Sequence, residues 1–475
     1  MSMSISAEES GGGQGPYRSP SSRPSFRHYS TWPLSSKHRD SDPRGGTLAK
    51  RNPRMQDHWY ERRAPRAASP GDARTALEVD HARVVHSSSV RRLAGKTQIH
   101  QGESDVPRTR LTHSMEVSQI ALGIAQRLRS AHLANPKHHL DELLNDQAIW
   151  HVVGLCHDLG HPPLGHAGES ALNACLPYEG NGQTLRILTR LESHTPGYGL
   201  NLTRRSLLGV LKYPKPYSEA AKAETPPPRR GISGAPLIGP EHKPPKCYHD
   251  EEEPIVAWLL SPSTIDESAV RGRMLKSFDC SLMDLSDEFA YSAADLDDAI
   301  AMGMMERGWI EEDICEDAWA GYLDHANRGS AKPIENRDDL YDRLLDGSAS
   351  RRAVTGSIIN YFLAGVRLVR DEEMADPLYR YQVELEAPQK RLMQLIKKSV
   401  FRRIIESTKV QQERVRTQRM IIEVFDAFSY QPMLYLPDRH RALWQAAENG
   451  DRVIADYIAG MTDRFLEKTH RTMMG

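Results

Sequence analysis

The sequence contains few cysteines, no excess of either charge and no long apolar run. Its five cysteines are odd in number, widely spaced and include no CxxC pair: they are Cys156, Cys175, Cys247, Cys280 and Cys315. This usage argues against a disulfide-stapled secreted domain. It predicts reduced thiols in a cytoplasmic protein.

The charge balance and the hydropathy exclude two further classes of protein. With 62 Lys and Arg against 63 Asp and Glu, the formal charge is −1, so the chain is neither globally basic nor strongly acidic. The apolar run at residues 255–260 is far shorter than the roughly 20 residues that a membrane helix needs, so no membrane partner is expected. The N-terminal letters MSMSISAEESGGG contain no apolar stretch typical of a secretory signal.

Two stretches of the chain have compositions that favour irregular structure. Residues 1–70 are predicted to form a disordered tail, because they are rich in Ser, Pro, Gly and Arg and poor in aliphatic residues. The part from Tyr17 to Arg66 is net basic, so it is either a solvated tail or an accessory contact for nucleic acid. Residues 214–245 belong to a proline-rich segment that is either a surface insertion or a lid.

Outside these stretches, apolar residues recur at helical spacing. Helices are predicted over 111–128, 149–158, 282–300, 353–369, 388–406, 410–428 and 451–470. We find no convincing pair of alternating strands and no internal repeat. The sequence therefore predicts an all-α protein, with a helical core over 71–300 that carries the 214–245 insertion, followed by a helical C-terminal part over 301–475.

The segment HVVGLCHDLGHPPLGH contains the first group of chemically informative residues. His157 and Asp158 lie at the end of a predicted helix that Gly160 and Pro162 stop, so both side chains can reach one cation. A buried ion pair is an equally good interpretation of two such residues alone. His113 shares a helix face with apolar residues, where a histidine is more often part of the core, although a metal ion would explain its position.

An acidic helix face is the second group. Five residues of SLMDLSDEFAYSAADLDDAI share this face, and they are Asp284, Asp287, Tyr291, Asp295 and Asp298. No Lys or Arg stands at i+4 to relieve the charge. The face is either solvated or compensated by a cation or a hydroxyl-rich ligand. His113, His157, Asp158 and one Asp of this face would make a set of two His and two Asp. Such a set suits Mn, Fe, Co, Ni or Mg better than it suits structural zinc.

Together these segments resemble the HD-domain superfamily, and most closely its deoxyguanosinetriphosphate triphosphohydrolase-like (dNTPase) branch. The resemblance covers about residues 75–470, in family order. Its motifs are VVHSSSVRRLAGKTQI, RTRLTHSMEVSQIALGIA, HDLGHPPLGHAGE, EGNGQTLRILTRLE, GLNLTRRSLLGVLKYP, MDLSDEFAYSAADLDDAI and YIAGMTDRF. The resemblance implies an all-α HD-domain core with additional C-terminal helices.

The resemblance also implies a set of metal ligands. The family's H…HD…D ligands map to His113, His157, Asp158 and Asp287. Asp287 is chosen because the family's A-D-D-I-A-Y pattern aligns with the letters SDEFAY, in which the first acid is kept and the second becomes Glu288. The residues that the family uses in the chemical step map to His166 and Glu169. His161, which lies between them and the ligands, is also predicted to be catalytic.

Substrate contacts and a reaction follow from the same resemblance. Arg110 matches a triphosphate contact, Lys212 and Tyr213 match further phosphate contacts, and Tyr291 and Asp295 match residues that contact the sugar. The implied reaction converts a deoxynucleoside triphosphate (dGTP or several dNTPs) and water to a deoxynucleoside and inorganic triphosphate. The implied cofactor is a divalent metal: Mn, Mg, or another transition metal such as Fe, Co or Ni.

Two other functions stay open at this point. An HD-type 5′-nucleotidase or phosphodiesterase would use the same metal site on another nucleotide. A nucleotide-sensing or nucleic-acid-binding protein would keep the fold without turnover. Relatives commonly form hexameric rings, so the resemblance implies a homo-oligomer. It leaves open a contact with single-stranded DNA and the identity of the preferred dNTP.

Overall fold

The computed structural model describes residues 57–66, 70–98, 108–134, 140–231, 234–301, 303–305 and 307–475. It is 65% helical, and the described strands form two small antiparallel sheets. The predicted all-α class is therefore confirmed. Among the helices in these ranges, none combines the length and the low charge that crossing a membrane requires.

The N-terminal half of the fold is built around three packed helices, α3, α5 and α12. In chain order its helices are α1 (Ala76–Val85), α2 (Ser88–Leu93), α3 (Arg110–Ala134), α4 (Asp141–Leu144), α5 (Ala148–Cys156), α6 (Gly165–Cys175), α7 (Gly180–Arg186), α8 (Arg204–Val210), α9 (Tyr217–Ala220), α10 (Glu253–Leu260), α11 (Glu267–Arg273) and α12 (Phe278–Ala301). The apolar stripe predicted on α3 is buried at Val117, Ile120 and Ile124, because these residues face the other two helices.

The C-terminal half adds a second apolar core. Its helices are α13 (Arg307–Asp313), α14 (Glu316–Ala326), α15 (Arg337–Leu345), α16 (Ser348–Ala364), α17 (Pro377–Arg380), α18 (Ala387–Val400), α19 (Thr408–Tyr430), α20 (Pro432–Tyr435), α21 (Asp438–Ala446), α22 (Gly450–Ala459) and α23 (Asp463–Met474). Side chains of α6, α19, α22 and α23 pack into this second core, with Leu172, Phe425, Ile458 and Leu466 among them. The single helix predicted over 451–470 is wrong, since it is divided between α22 and α23.

The described strands depart from the sequence prediction. Strands β1 (Arg229–Arg230) and β2 (Pro236–Leu237) pair within the proline-rich segment, and β3 (Val366–Arg370) pairs antiparallel with β4 (Tyr381–Leu385). The predicted helix over 353–369 is therefore too long, because α16 ends at Ala364. In β4, buried residues alternate with more exposed ones, which is the period of a sheet with one covered face.

Asp57–Arg66 belong to the folded unit, although the sequence places them in the tail. Trp59 is fully buried, and its indole N–H donates to Asp376 Oδ1 at 3.2 Å. Arg62 forms an ion pair with buried Asp80. The rest of the predicted tail, residues 1–56 and 67–69, lies outside the described residues, as does most of its basic stretch.

The proline-rich 214–245 segment is anchored at both ends on α6. Tyr217 donates its hydroxyl to Asn173 Oδ1 at 2.8 Å, and Asn173 Nδ2 donates to the His242 carbonyl at 3.0 Å. Both anchors lie at buried residues, whereas Arg229 and Arg230 between them are exposed. These contacts show a segment with fixed ends, and its role as surface insertion or lid stays a prediction.

A buried ion pair joins two of the N-terminal helices. Arg205 of α8 and Asp279 of α12 are fully buried and meet in a two-pronged contact, with Nε–Oδ2 at 2.8 Å and Nη2–Oδ1 at 3.0 Å. Arg205 also donates to the Leu143 carbonyl at 2.7 Å. Removing one partner would leave the other charge uncompensated in the core.

We therefore expect Asp279→Ala to lower the free energy of unfolding by about 3–5 kcal/mol, measured by urea denaturation. Glu384→Ala is the control, because Glu384 pairs with Arg367 where both side chains are half exposed. That surface pair should contribute no more than about 1 kcal/mol. Equal losses in the two variants would contradict the role given to the buried pair.

Candidate metal centre and active site

The four predicted metal ligands converge from three helices. His113 projects from α3, His157 and Asp158 follow the end of α5, and Asp287 lies on α12. His113 Nε2 is 3.0 Å from Asp287 Oδ1, and His157 Nε2 is 3.7 Å from the same oxygen and 3.6 Å from Asp158 Oδ1. The two imidazole rings lie 5.3 Å apart, edge to face. The fold thus brings all four side chains to one point.

A glycine allows the helices to come this close. A Cβ atom on Gly154 of α5 would lie 2.6 Å from the Ser118 Cα of α3, closer than two carbons can approach. Because α5 touches the backbone of α3 there, His157, one turn further along, comes within reach of His113. Asp287 adds its carboxylate from the third helix, α12.

The donor set fits a divalent cation. His157 holds its Nδ1 2.8 Å from the Gly154 carbonyl, which assigns the proton to that nitrogen and leaves the Nε2 lone pair directed at the carboxylates. Nε2 is buried and has no hydrogen-bond partner. Buried polar atoms normally have a partner, so a metal ion would satisfy this one. His113, His157 and Asp158 form a cluster whose ligand atoms lie close enough to share an ion.

The charges of the two carboxylates are compensated by neighbouring groups. Burial alone would raise the pKa of the Asp158 carboxyl, but the Arg110 guanidinium, 2.6 Å away, holds it well below its usual range. The pKa of Asp287 is likewise lowered, because the hydrogen bond with His113 outweighs the opposing effect of burial. Both carboxylates are therefore ionised at neutral pH.

A second cluster follows the ligands along the chain. His166 Nδ1 lies 2.9 Å from Glu169 Oε2, and the Gly180 N–H donates to Glu169 Oε1 at 2.8 Å. Glu169 is buried, whereas the His166 side chain is 76% exposed. Burial opposes ionisation of Glu169, yet the hydrogen bond with His166 lowers its pKa below the usual value. The pair thus combines an accessible imidazole with a fixed carboxylate.

His161 lies between the two clusters. Its Nδ1 is 2.9 Å from Asp158 Oδ1, and its ring is 5.2 Å from that of His166. Burial, together with the charge of Arg110, lowers the pKa of His161 to about 4. His161 is therefore neutral at physiological pH and contacts a ligand carboxylate rather than open solvent.

The acidic face of α12 is compensated by distant basic residues, contrary to the sequence expectation. Asp284 forms ion pairs with both Lys212 and Lys276. Asp298 Oδ2 accepts from Arg108 Nε at 3.0 Å. As the sequence indicates, no residue at i+4 compensates these acids. The inference of unrelieved charge is nevertheless wrong for Asp284 and Asp298, because basic side chains reach them from outside α12.

Asp295 is the exception on this face. It is 1% exposed, and neither carboxylate oxygen has a hydrogen-bond partner that meets normal geometry. Burial raises its pKa to about 7. Burial and the nearby Asp295 also raise the pKa of the Tyr291 phenol, one turn earlier. Asp295 thus has unused acceptor capacity close to the candidate metal ligands.

The predicted phosphate contacts lie at different depths. Arg110 is buried against Asp158, and its Nε has no hydrogen-bond partner. The Lys212 ammonium, besides pairing with Asp284, lies 5.9 Å from the centre of the Tyr213 ring. Lys246 faces the same ring at 5.5 Å. Tyr213 is therefore placed among cations.

One cavity of about 470 Å³ opens over the site. Its lining residues are His166, Lys212, Asp284, Asp287, Glu288, Tyr291, Lys397, Lys398 and Phe401. Lys397, Lys398 and Phe401 are not among the residues predicted from the sequence. They come from the end of α18 and the turn after it. Lys397 pairs with Glu288 at 3.0 Å. No motif signals these residues, because only the packing of α18 on α12 brings them to the cavity.

Comparison with known proteins agrees with this geometry. The HD domain family matches residues 110–194, which include His113, His157 and Asp158. The phosphohydrolase-associated domain matches residues 383–472, from β4 to α23. The first region covers α3 and α5, which carry or precede three of the four predicted ligands, whereas α12 with Asp287 lies between the two matched regions.

Relatives of similar length carry a common name. A deoxyguanosinetriphosphate triphosphohydrolase-like protein of Shewanella loihica is 36% identical over 442 residues, which cover 87% of this chain and 96% of the relative. Proteins of the same name from Shewanella sediminis and Aliivibrio fischeri are 36% and 34% identical and cover 95% and 97% of their own lengths. The chain therefore belongs to the deoxyguanosinetriphosphate triphosphohydrolase-like family of HD-domain phosphohydrolases.

Proposed function

We propose that this protein hydrolyses deoxynucleoside triphosphates to a deoxynucleoside and inorganic triphosphate. The observation that carries the proposal is one cavity lined by His166, Asp287 and Tyr291. His166 pairs with Glu169, Asp287 contacts the two histidines of the metal-ligand set, and Tyr291 neighbours buried Asp295. The names of the relatives support the same substrate class. The reaction adds water at the α-phosphorus and breaks the bond from that phosphorus to the 5′ oxygen.

His113, His157, Asp158 and Asp287 would hold the divalent metal. When bound, such an ion neutralises part of the substrate charge and polarises a phosphoryl oxygen. A mixed set of imidazoles and carboxylates suits Mn, Mg, Fe, Co or Ni. Arg110 would keep Asp158 ionised and oriented toward the ion through their 2.6 Å contact.

His166 would move the protons of the reaction. Its exposed ring can reach the substrate, and Glu169 both orients the ring and stabilises its charged form. The imidazole takes a proton from the attacking water, gives one to the departing 5′ oxygen, or does both. Neutral His161 would hold Asp158 rather than exchange protons at neutral pH, since burial lowers its pKa to about 4.

The remaining residues would bind the two ends of the substrate. Arg110 has an Nε without a hydrogen-bond partner, and the Lys212 ammonium lies 5.9 Å from the centre of the Tyr213 ring, so these three residues are the proposed phosphate contacts. Asp295 would accept the 3′-hydroxyl of the sugar with its unpartnered oxygens. Tyr291, which lines the cavity, would occupy the space that a 2′-hydroxyl needs.

The assembly stays a prediction from the resemblance, and the cytoplasmic location stays a prediction from the cysteine content. We propose a cytoplasmic homo-oligomer, with a hexamer as the form to test first. Single-stranded DNA is a further proposed partner. None of these is needed for the chemistry of the single site described above.

Product analysis tests the proposed reaction. The protein is incubated with each dNTP and NTP in the presence of Mn²⁺ or Mg²⁺, and nucleoside, nucleotide and triphosphate are separated. We expect deoxynucleoside and intact triphosphate in equal amounts. Release of orthophosphate from a monophosphate, or opening of a cyclic nucleotide, would instead indicate the nucleotidase or phosphodiesterase function.

Two classes of variant should distinguish the residues that bind the metal from those that are needed only for turnover. We expect His157→Ala and Asp287→Ala to lose bound metal and activity together, because each removes a ligand. His166→Ala and Glu169→Ala should retain the metal but lose about 10²- to 10⁴-fold in kcat, the usual cost of a missing general acid or base. Metal content is measured by mass spectrometry of the purified proteins.

Glu288→Gln is the matched control for the metal ligands. Glu288 is the neighbouring acid on α12 and pairs with Lys397 rather than with the histidines. It should keep its full metal content. A full metal content in Asp287→Ala, or turnover within a few-fold of wild type in His166→Ala, would contradict the assigned roles.

The sugar contacts predict a distinct pattern of substrate preference. A 2′,3′-dideoxynucleotide should be a poor substrate, because it leaves the buried Asp295 without a donor, which costs about 1–3 kcal/mol or roughly ten- to a hundred-fold in kcat/KM. Asp295→Ala should shrink this gap. Tyr291→Ala should relax the rejection of ribonucleotides, since it opens space near C2′.

The measurement compares kcat/KM for deoxy-, dideoxy- and ribonucleoside triphosphates in wild type and both variants. The two variants serve as controls for each other, because each should change one ratio and leave the other. An unchanged deoxy-to-dideoxy ratio in Asp295→Ala would rule out its contact with the 3′-hydroxyl.

A further inference from the structure

We propose that Asp463, at the start of α23, is a positioning residue that holds the loop between Asp158 and His166. The inference rests on the proposed function, because it assigns Asp463 an effect on His166. Asp463 is distant in sequence from the candidate ligands. It belongs to the phosphohydrolase-associated part of the chain, whose other contribution to the site is the cavity wall formed at the end of α18.

The loop has a backbone conformation that needs external support. Leu164 and Gly165 have φ angles of 62° and 63°, in the left-handed region. Leucine rarely adopts this region, so surrounding contacts must maintain it. A Cβ atom on Gly165 would also lie 2.7 Å from the Arg110 guanidinium. The loop therefore passes closely beside the buried Arg110–Asp158 pair.

Asp463 provides contacts to this loop. The Leu164 N–H donates to Asp463 Oδ1 at 2.9 Å. The other oxygen, Oδ2, accepts from both the N–H and the hydroxyl of Thr97, each at 2.8 Å. The carboxylate is 6% exposed. One buried side chain thus joins the left-handed residue of the loop to the segment before α3.

Lys96 supports the other end of the same loop. Its buried ammonium donates to the His161 carbonyl at 2.6 Å and to the Ala459 carbonyl, at the end of α22, at 2.8 Å. Asp463 and Lys96 therefore hold Leu164 and His161 by backbone atoms. Both contacts connect the loop to the junction between α22 and α23.

The position of His166 depends on this support. His166 is the second residue of α6, directly after the loop, and its side chain is 76% exposed. Its ring is therefore not held by a surrounding core, and Glu169 fixes only its rotation. Movement of the loop backbone would displace the imidazole from the reacting atoms. A displacement of about 1 Å in such a group can cost about 10²-fold in rate.

The test compares Asp463→Asn with Glu467→Gln, an equally small change of acid to amide one turn further along α23. We expect Asp463→Asn to lower kcat by about 10- to 100-fold, with KM within about three-fold of wild type and metal content unchanged. Hydrogen exchange of peptides that cover residues 159–166 should become faster in this variant only. All assays are run at a temperature where circular dichroism shows both variants folded.

A second variant guards against misfolding of the first. Thr97→Val removes one donor to Asp463, so it should lower kcat and speed up hydrogen exchange of the loop. Thr97→Ser keeps the hydroxyl, so both values should return toward wild type. The inference would be overturned if Asp463→Asn kept both the wild-type kcat and the wild-type exchange rate. If Asp463→Asn does not fold, the same result in Thr97→Val would overturn it. Absence of triphosphate release by the wild type would instead reject the proposed function, and the exchange comparison would still test the loop contact.

Discussion

The structure of the site depends on how negative charge is placed inside it. Asp158 is buried and Asp287 is partly buried, and an ionised carboxylate away from water is costly unless cations and hydrogen bonds compensate it. Arg110 pairs with Asp158, and His113 makes a hydrogen bond with Asp287. Because these groups come from different helices, α3, α5 and α12 must meet at one point. The close contact at Gly154 allows them to do so.

The C-terminal half completes the site rather than standing apart from it. The end of α18 brings Lys397, Lys398 and Phe401 to the wall of the cavity over α12. The junction of α22 and α23 contacts the backbone of the loop between the two histidine clusters. The second apolar core also packs directly on α6, which carries His166 and Glu169. The segment that carries the candidate catalytic residues therefore lies between two cores.

Much of the fold and of the site could be predicted because the relevant signals are local. Helical periodicity identifies α3 and α12, and the glycine and proline after His157 mark the end of α5. The motif order supplies the ligand set, and the structure brings those four residues together. The prediction failed for β3 and β4, which are short strands next to helices, and for Asp57–Arg66, whose composition resembles the tail but whose Trp59 fits a buried position.

The sequence by itself determined the helical class, the family and the identity of the candidate ligands, because these follow from periodicity and from motifs within single segments. Only the tertiary structure decided which charges meet. Lys212 and Arg108 compensate the acidic face of α12 from positions far along the chain, and Lys276 does so from just before the helix. The same packing buries Asp295 beside the Tyr291 hydroxyl, with no hydrogen bond of normal geometry to either carboxylate oxygen. Ion pairing and burial depend on distances across the whole fold, and local spacing does not contain those distances.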